Sequence, residues 1–293
     1  MGNVVTQSLL ILHINSPPVA SVTRNTSTGH RKGASVTDTE QRWVASNGSA
    51  VPRAPKAAML IAQRIVRDIT SNGMKAGDLL PPERTMLEQY QTGRGTLREA
   101  LRFLEFQGVI ALKPGPRGGP VLLNPDASHL ASTVVLLMQM NHAPFREIVQ
   151  VRSALEPMIS QLAAQRMSEA ELGQLKGTIT QMRDNIENQA SFLDANKRFH
   201  DIIAWSSGNV LFGYLVDSLL GIMDGTVVGI DYPSHRREAI AAAHEEIFEA
   251  FAAHDPDEAR ARMQGHIDAY ERYVTKKFPN VLEEVIPWSP HTG

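Results

Sequence analysis

Cysteine is absent from all 293 residues. That excludes a disulfide framework and thiolate metal sites. Long apolar runs are missing too. None approaches the ~18 residues of a membrane span. The longest early run, Leu9 to Leu12, is too short for a signal-peptide core and lacks a basic lead-in. A cytoplasmic, nucleoid-associated protein with no membrane partner is therefore expected. The opening MGNVVT formally fits a myristoylation pattern, but six residues match such a pattern easily by chance. An excess of either charge is also lacking, with a formal net charge of -2. Against these absences, 42% of the residues are hydrophobic. That is enough for sizeable cores, and the length suits about two domains of roughly 100–200 residues.

The near-zero charge hides an asymmetry. Residues 57–125 carry 9 Lys/Arg against 6 Asp/Glu, a net of +3, whereas residues 126–280 carry 14 against 21, a net of -7. A basic module beside an acidic one suits one polyanion-binding domain and one domain with another task.

Residues 1–55 are rich in Ser, Thr, Asn, Gly and Val without sustained periodicity. They read as a disordered extension, either dispensable or a DNA-contacting arm using Arg24, Arg31 and Lys32. Order is expected from Lys56. Ala58, Ile61, Ala62, Ile65 and Ile69 form a helical stripe over 57–71, ended by Asn72-Gly73. Pro81-Pro82 opens a second helix with Met86, Leu87 and Tyr90 on its core face. After Thr92-Gly93, a third runs from about Arg94 to Gln107 on Leu97, Leu101 and Leu104, and Gly108 terminates it. Val109 to Leu112 and Pro120 to Leu123 read as strands joined by a PGPRGG hairpin tip. Residues 56–123 thus form a winged helix-turn-helix, and 124–127 a linker.

The remainder, 128–279, reads as an antiparallel all-helical bundle, with segments near 128–140, 144–167, 169–189, 191–206, 209–228, 235–253 and 256–278. Pro144, Ser168 before Glu169, Asn209 and Asp255-Pro256 mark starts. Residues 280–293 read as a Pro-rich tail, and no fixed-period repeat stands out. The fold class is mainly α.

A recognition helix in a major groove needs polar donors near its N-terminus and an apolar face holding it to the domain. Arg94 and Arg98 lie four apart, opposite Leu97, Leu101 and Leu104. Arginine can pair bidentately with guanine or clamp phosphate. Arg84 is placed for a phosphate or base-edge contact, and the Thr96 hydroxyl can bond a phosphate oxygen. In the wing, Gly115, Gly118 and Gly119 allow close backbone approach and Arg117 supplies charge. Arginines on an amphipathic helix are ordinarily a solvated face. The argument rests on the order and spacing of the whole set.

That set resembles the GntR family of bacterial regulators over residues 57–123. The matching residues are Gly73, Gly77, Leu80-Pro81-Pro82-Glu83-Arg84, Arg94, Leu97-Arg98-Glu99-Ala100-Leu101, Leu104 and Gly108-Val109-Ile110. The resemblance implies DNA contacts at Arg84, Arg94 and Arg98, with Gly115 at the wing. Pro82 replaces a usual Ser, Gly93 a usual helix-capping Ser, and Gly95 a side chain that often touches DNA. Glycine caps a helix start with little loss, but it supplies no side-chain readout.

In the helical half, Asn196 and His200 lie four apart on one helical face. His244 and His266 sit on two later helices. Ile240, Ile247 and Phe251 flank the first, and Met263, Tyr270 and Tyr273 the second. Histidines aimed into a bundle from three helices can converge. Three imidazoles and one oxygen ligand suit zinc or another divalent transition metal, with room for water or ligand. A buried histidine is otherwise a hydrogen-bonded core residue. His129, His142, His235 and His254 fall at helix ends or linkers and read as surface. Arg152 is either an ion-pair partner or a clamp for a ligand carboxylate. Residues 128–278 resemble the helical FCD domain of the fatty-acid-regulator branch of the same family. VRSALEP (151–157), NKRFH (196–200), His244 with Ile247, and His266-Ile267 carry the likeness. Asn196 replaces the family's usual Asp, removing a negative charge from the implied metal set.

The resemblance implies a homodimeric DNA-binding transcriptional regulator, read as a repressor and not an enzyme. Its binding to an inverted-repeat operator on double-stranded DNA would respond to a small molecule, an organic acid, beside the metal. Two other functions fit less of the sequence. One is a metal-independent sensor of a fatty acyl chain or acyl-CoA. The other is a metal-dependent hydrolase, against which stand the absence of HExxH and of a carboxylate visibly paired with the histidines.

Overall fold

A computed structural model describes residues 56–288 apart from 116–117 and 224–228. The extension 1–55 with its basic residues, the hairpin-tip Arg117 and the last five residues lie outside the described residues.

The first part is a small three-helix unit with a wing. Helix α1 (Lys56–Ser71) buries Ala58, Ile61, Ala62, Ile65 and Ile69, the stripe seen in the sequence. Helix α2 (Glu83–Tyr90) buries Met86 and Tyr90, and α3 (Arg94–Phe106) buries Leu97, Ala100, Leu101 and Leu104. The Tyr90 hydroxyl donates to Asp68 at 2.8 Å, fixing α2 to α1. Gly108, at φ +68°, ends α3 with its N–H on the Glu105 carbonyl, in the left-handed region that disfavours side chains. Strands β1 (Ile110–Lys113) and β2 (Gly119–Leu122) pair antiparallel with Ile110 opposite Leu122. The sequence did not show that Leu79 bridges to Val121, or that Leu80 N–H donates to the Pro120 carbonyl at 2.9 Å. The segment before α2 thereby braces the wing.

The second part is helical: α4 (Ser128–Met140), α5 (Arg146–Ala164), α6 (Glu169–Asp184), α7 (Gln189–Ser206), α8 (Val210–Ile222), α9 (Ser234–Ala252), α10 (Pro256–Lys277) and α11 (Pro279–Glu283). Helix α5 packs against α7 and α10, α6 against α7 and α9, and α9 against α10. Phe145, Phe192, Phe199 and Phe251 are fully buried at these contacts. Polar caps set the boundaries. Ser168 and Glu171 form a capping box on α6, and Asn188, Asn209 and Asp255 each accept from a first-turn N–H of the helix they open.

One expectation changes. Residues 280–288, within the stretch read as a tail, carry all but the first residue of α11, bury Leu282 and Ile286, and bond Phe145 N–H to the Glu284 carbonyl. The indole of Trp288 donates to Ser132 at 2.9 Å. This stretch closes on the bundle through its hydrogen bonds to α4 and to the start of α5. His129, read as a surface histidine at a helix end or linker, is exposed near the start of α4 and stacks on Phe106 at 5.9 Å.

Candidate functional site

Of the residues expected to meet DNA, Arg84 sits on α2, Arg94, Thr96 and Arg98 on α3, and Gly115 in the wing, while Arg117 lies outside the described residues. Arg94 opens α3 behind Gly93, which has extended backbone (φ -79°, ψ 157°) and lends no side-chain cap. Arg94 and Arg98 are exposed and Thr96 is half-buried. A β-carbon built on Gly93, Gly95 or Gly115 would meet nothing within 4 Å. The glycines therefore leave an open approach to the start of α3 and to the wing, where Gly115 sits at φ +106°. The structure adds a partner the sequence had not supplied. Glu83 accepts from Arg98 Nε at 3.2 Å and from its Nη2 at 3.4 Å. A carboxylate in this fork orients the guanidinium. Arg84, with a side chain 92% exposed, sits 3.6 Å from Glu88, a pair worth little in water.

The helical half brings three histidines together. One ring nitrogen from each of His200 (α7), His244 (α9) and His266 (α10) falls within 4.8 Å of the others. The Nε2 atoms of His244 and His266 face each other at 3.3 Å. Tetrahedral ligands at a Zn–N distance of ~2.0–2.1 Å stand about 3.3 Å apart, so this pair already has the spacing of two ligands of one ion. His244 is fully buried and its ring stacks 4.0 Å from Phe199, nearly parallel. Neither nitrogen of His200 makes a well-aligned hydrogen bond. Burial, then the charges of neighbouring residues, hold His244 and His266 well below the ordinary histidine range. Their rings are therefore neutral at pH 7, the form that ligates metal. On spacing, burial and protonation, the residues fit a divalent transition metal.

Glu156, from α5, is the carboxylate not visible as a histidine partner in the sequence. Its Oε2 lies 2.7 Å from His200 Nδ1, while Oε1 accepts from Arg152 Nε. Burial alone would raise the Glu156 pKa, but Arg152 and His200 hold it well below the carboxylate range. The contact is close but poorly aligned; it sets a carboxylate beside Nδ1 and leaves the opposite nitrogen free to ligate. That carboxylate takes the orienting position on Nδ1, not that of a base aimed at bound water. The i, i+4 spacing of Arg152 and Glu156 was the available signal.

Beside the histidines is a cavity of about 390 Å³, within the size range of small-molecule sites. Arg152, Asn196, His200 and His266 all line it, as do Arg236 and Tyr232. Asn196 and His200 thus share a wall, as their spacing predicted. Arg152 reaches the cavity with its charge already matched by Glu156, its Nη1 3.4 Å from Met223 Sδ and its guanidinium 5.9 Å from the Tyr270 ring centre. His235, His142 and His254 are exposed, as expected.

A winged helix-turn-helix joined to a helical bundle with a histidine-lined cavity is the architecture of a ligand-responsive DNA-binding regulator. Residues 58–117 match the family described as bacterial regulatory proteins, gntR family, and residues 147–269 match the FCD domain. A Bacillus subtilis (strain 168) protein, the uncharacterized HTH-type transcriptional regulator YcbG, is 32% identical over 227 residues, 78% of this chain and 92% of its own length. The HTH-type transcriptional repressor NanR of Edwardsiella tarda is 25% identical over 221 residues, covering 73% and 84%. The solved structure of a Streptococcus agalactiae GntR overlays with a TM-score of 0.59 at 23% identity, covering 73% of this chain and 99% of the other, which supports the fold. This chain belongs to the gntR family: it is a DNA-binding transcriptional regulator with an FCD effector-binding domain. No described helix is long and apolar enough to cross a membrane.

Proposed function

We propose that the protein is a homodimeric repressor whose hold on an inverted-repeat operator is changed by an organic acid bound beside a divalent metal ion, zinc being the best fit. The observation that carries this reading is the convergence of His200, His244 and His266, two of which, His200 and His266, line the cavity. Asn196 supplies the fourth, oxygen ligand, and Glu156 orients His200. Bound there, the metal would offer an acid its open coordination position. Arg152, ringed by Glu156 and Tyr270, presents positive charge to the same space.

On the DNA side, Arg94 and Arg98 reach the groove from α3, Arg84 and Thr96 hold phosphate, and the wing glycine Gly115 approaches the backbone, with Arg117 adding charge. Repression is proposed by likeness to the NanR relatives. A dimer is supported by exposed apolar side chains at the end of α4 (Leu137, Met140) and the start of α8 (Val210, Leu211), helices that pack together. A ligand moves the operator equilibrium only by its differential affinity for two domain arrangements.

An acyl-CoA effector fits less well, because a cavity of about 390 Å³ is small for a long chain and carries Arg152, Lys197, Arg236 and His266 in its wall. Hydrolysis fits less well too, since Glu156 is engaged with Arg152 and His200.

The test is an operator gel shift with metal-loaded and chelated protein, run with and without organic acids, beside the His200→Ala/His244→Ala double variant. The reading expects an acid response only in the loaded wild type. An acid response that survives in the double variant would contradict it.

A further inference from the structure

Three basic side chains line the cavity, and two of them are already neutralised. Arg152 is paired with Glu156, and Lys197 with Asp201 at 2.8 Å and with Asp217. Arg236, in the first turn of α9, makes no ion pair among the described residues. Its Nη2 donates to the Ala269 carbonyl at 3.0 Å, and its guanidinium stands 4.6 Å from the centre of the Tyr273 ring. Its Nε is buried and makes no hydrogen bond. Asp194 also lines the cavity, but it is exposed and joins no ion pair among the described residues.

The next residue shows the contrast. Arg237 is buried and satisfied, donating to the Ile186 and Tyr232 carbonyls and to Gln189 at 3.3 Å. It is a structural strut that knots α9 to the loop before α7. Arg236 faces the cavity with donors left over. A partly desolvated guanidinium is costly unless an anion meets it. Burial accordingly pulls its pKa down, and the groups that oppose the shift are tyrosines, not carboxylates.

Its position relative to the histidines sets the ligand. Ala269, which Arg236 grips, follows His266 by three residues on α10, about 4.5 Å along the axis at ~1.5 Å per residue. Arg236, His200 and His266 line one cavity, so an anion on Arg236 would share that space with the imidazoles.

We propose that Arg236 is a specificity-determining anchor for a second anionic group on the effector, so that the cavity selects a small diacid over a monoacid. This rests on the reading of a metal-assisted acid site. In it, one acid group engages the histidine-held ion, while the distal carboxylate forms the paired hydrogen bonds with Arg236 that no side chain among the described residues supplies. Arg152, held by Glu156, stays part of the wall.

The test is calorimetric titration of the full, zinc-loaded chain with the 2-hydroxy monoacids glycolate and lactate and the diacids malate and tartrate. At least one diacid should bind tenfold or more tighter than both monoacids. Arg236→Met should bring that diacid down to the monoacid level while monoacid affinity moves less than about twofold, and Arg236→Lys should recover part of the difference. Zinc content per chain, equal in wild type and variants, controls for misfolding. Equal binding of monoacids and diacids by the wild type, or equal weakening of both by Arg236→Met, would overturn the assignment while leaving the acid-effector reading intact. Binding of neither class would remove the acid-effector reading itself, and the Arg236 assignment with it.

Discussion

The two halves of the molecule put their charges in opposite places. Among the described residues of the winged helix-turn-helix, no charged side chain is buried; Arg84, Arg94 and Arg98 all stand in solvent. The helical half buries Arg152, Glu156, His200, Arg237 and His244. A surface that reads a polyanion need only display charge, and its cost is small because water solvates it until DNA arrives. Charges taken out of water must be matched. The helical half keeps a polar interior that would be unfavourable without a ligand or a tight internal network. The contrast teaches that one half is built to bind wherever phosphate is offered, and the other to change when its interior is occupied.

The largest break of that contrast should come from Glu156→Ala. It strands Arg152 without its counterion and frees the His200 ring. Losing one partner of a buried pair costs about 3–5 kcal/mol, so chemical denaturation should show the helical half unfolding at clearly lower denaturant. Metal affinity should fall by roughly 10–100-fold, the usual result of losing an orienting carboxylate. The same truncation on the other half, Arg98→Ala or Arg94→Ala, should leave stability within about 0.5 kcal/mol. It should instead cost about 1–3 kcal/mol of operator binding and flatten the salt dependence by about one unit of slope. A denaturation curve in which Arg94→Ala unfolds as early as Glu156→Ala would erase the contrast.

Acid sharpens it further. Burial holds His244 and His266 well below the unfolded histidine value of about 6.5. The folded rings resist protonation while the unfolded chain accepts it. Their contribution is therefore whole above about pH 6.5 and is lost as the pH falls below that value, at up to ~1.4 kcal/mol per pH unit for each ring. Metal-free protein should lose melting temperature between pH 6.5 and 5, and His244→Phe should weaken that dependence. A melting temperature flat across this window would speak against buried neutral rings. The smallest effect is expected from Ser168→Ala, which removes the capping box of α6 at a cost of about 1 kcal/mol and should leave DNA and metal binding alone.

The parts legible in the sequence were those set by period and punctuation. The stripe from Ala58 to Ile69, the R-x-x-x-R spacing on α3 and the caps at Ser168, Asn209 and Asp255 depend on neighbours within a turn or two. The same is true of Asn196 and His200, which share one face of α7. What remained hidden depends on meetings between distant segments. Glu156 lies 44 positions before His200, and nothing in its own helix announces that it will meet that ring. The bracing of the wing by Leu79 and the closing of the bundle by Leu282 and Ile286 are equally long-range. Arg236 and Arg237 are adjacent in sequence, yet one knots the backbone and the other faces the cavity. Only the direction of each side chain off α9 separates them.

The central claim is that the histidines of the helical half form one metal site that makes DNA binding conditional. The direct measurement is calorimetric titration of zinc into the metal-free full chain, for wild type and for His244→Ala. The account predicts one ion per wild-type chain at high affinity and loss of that site in the variant. A wild type that takes up no metal, or a variant that takes it up equally well, would contradict it.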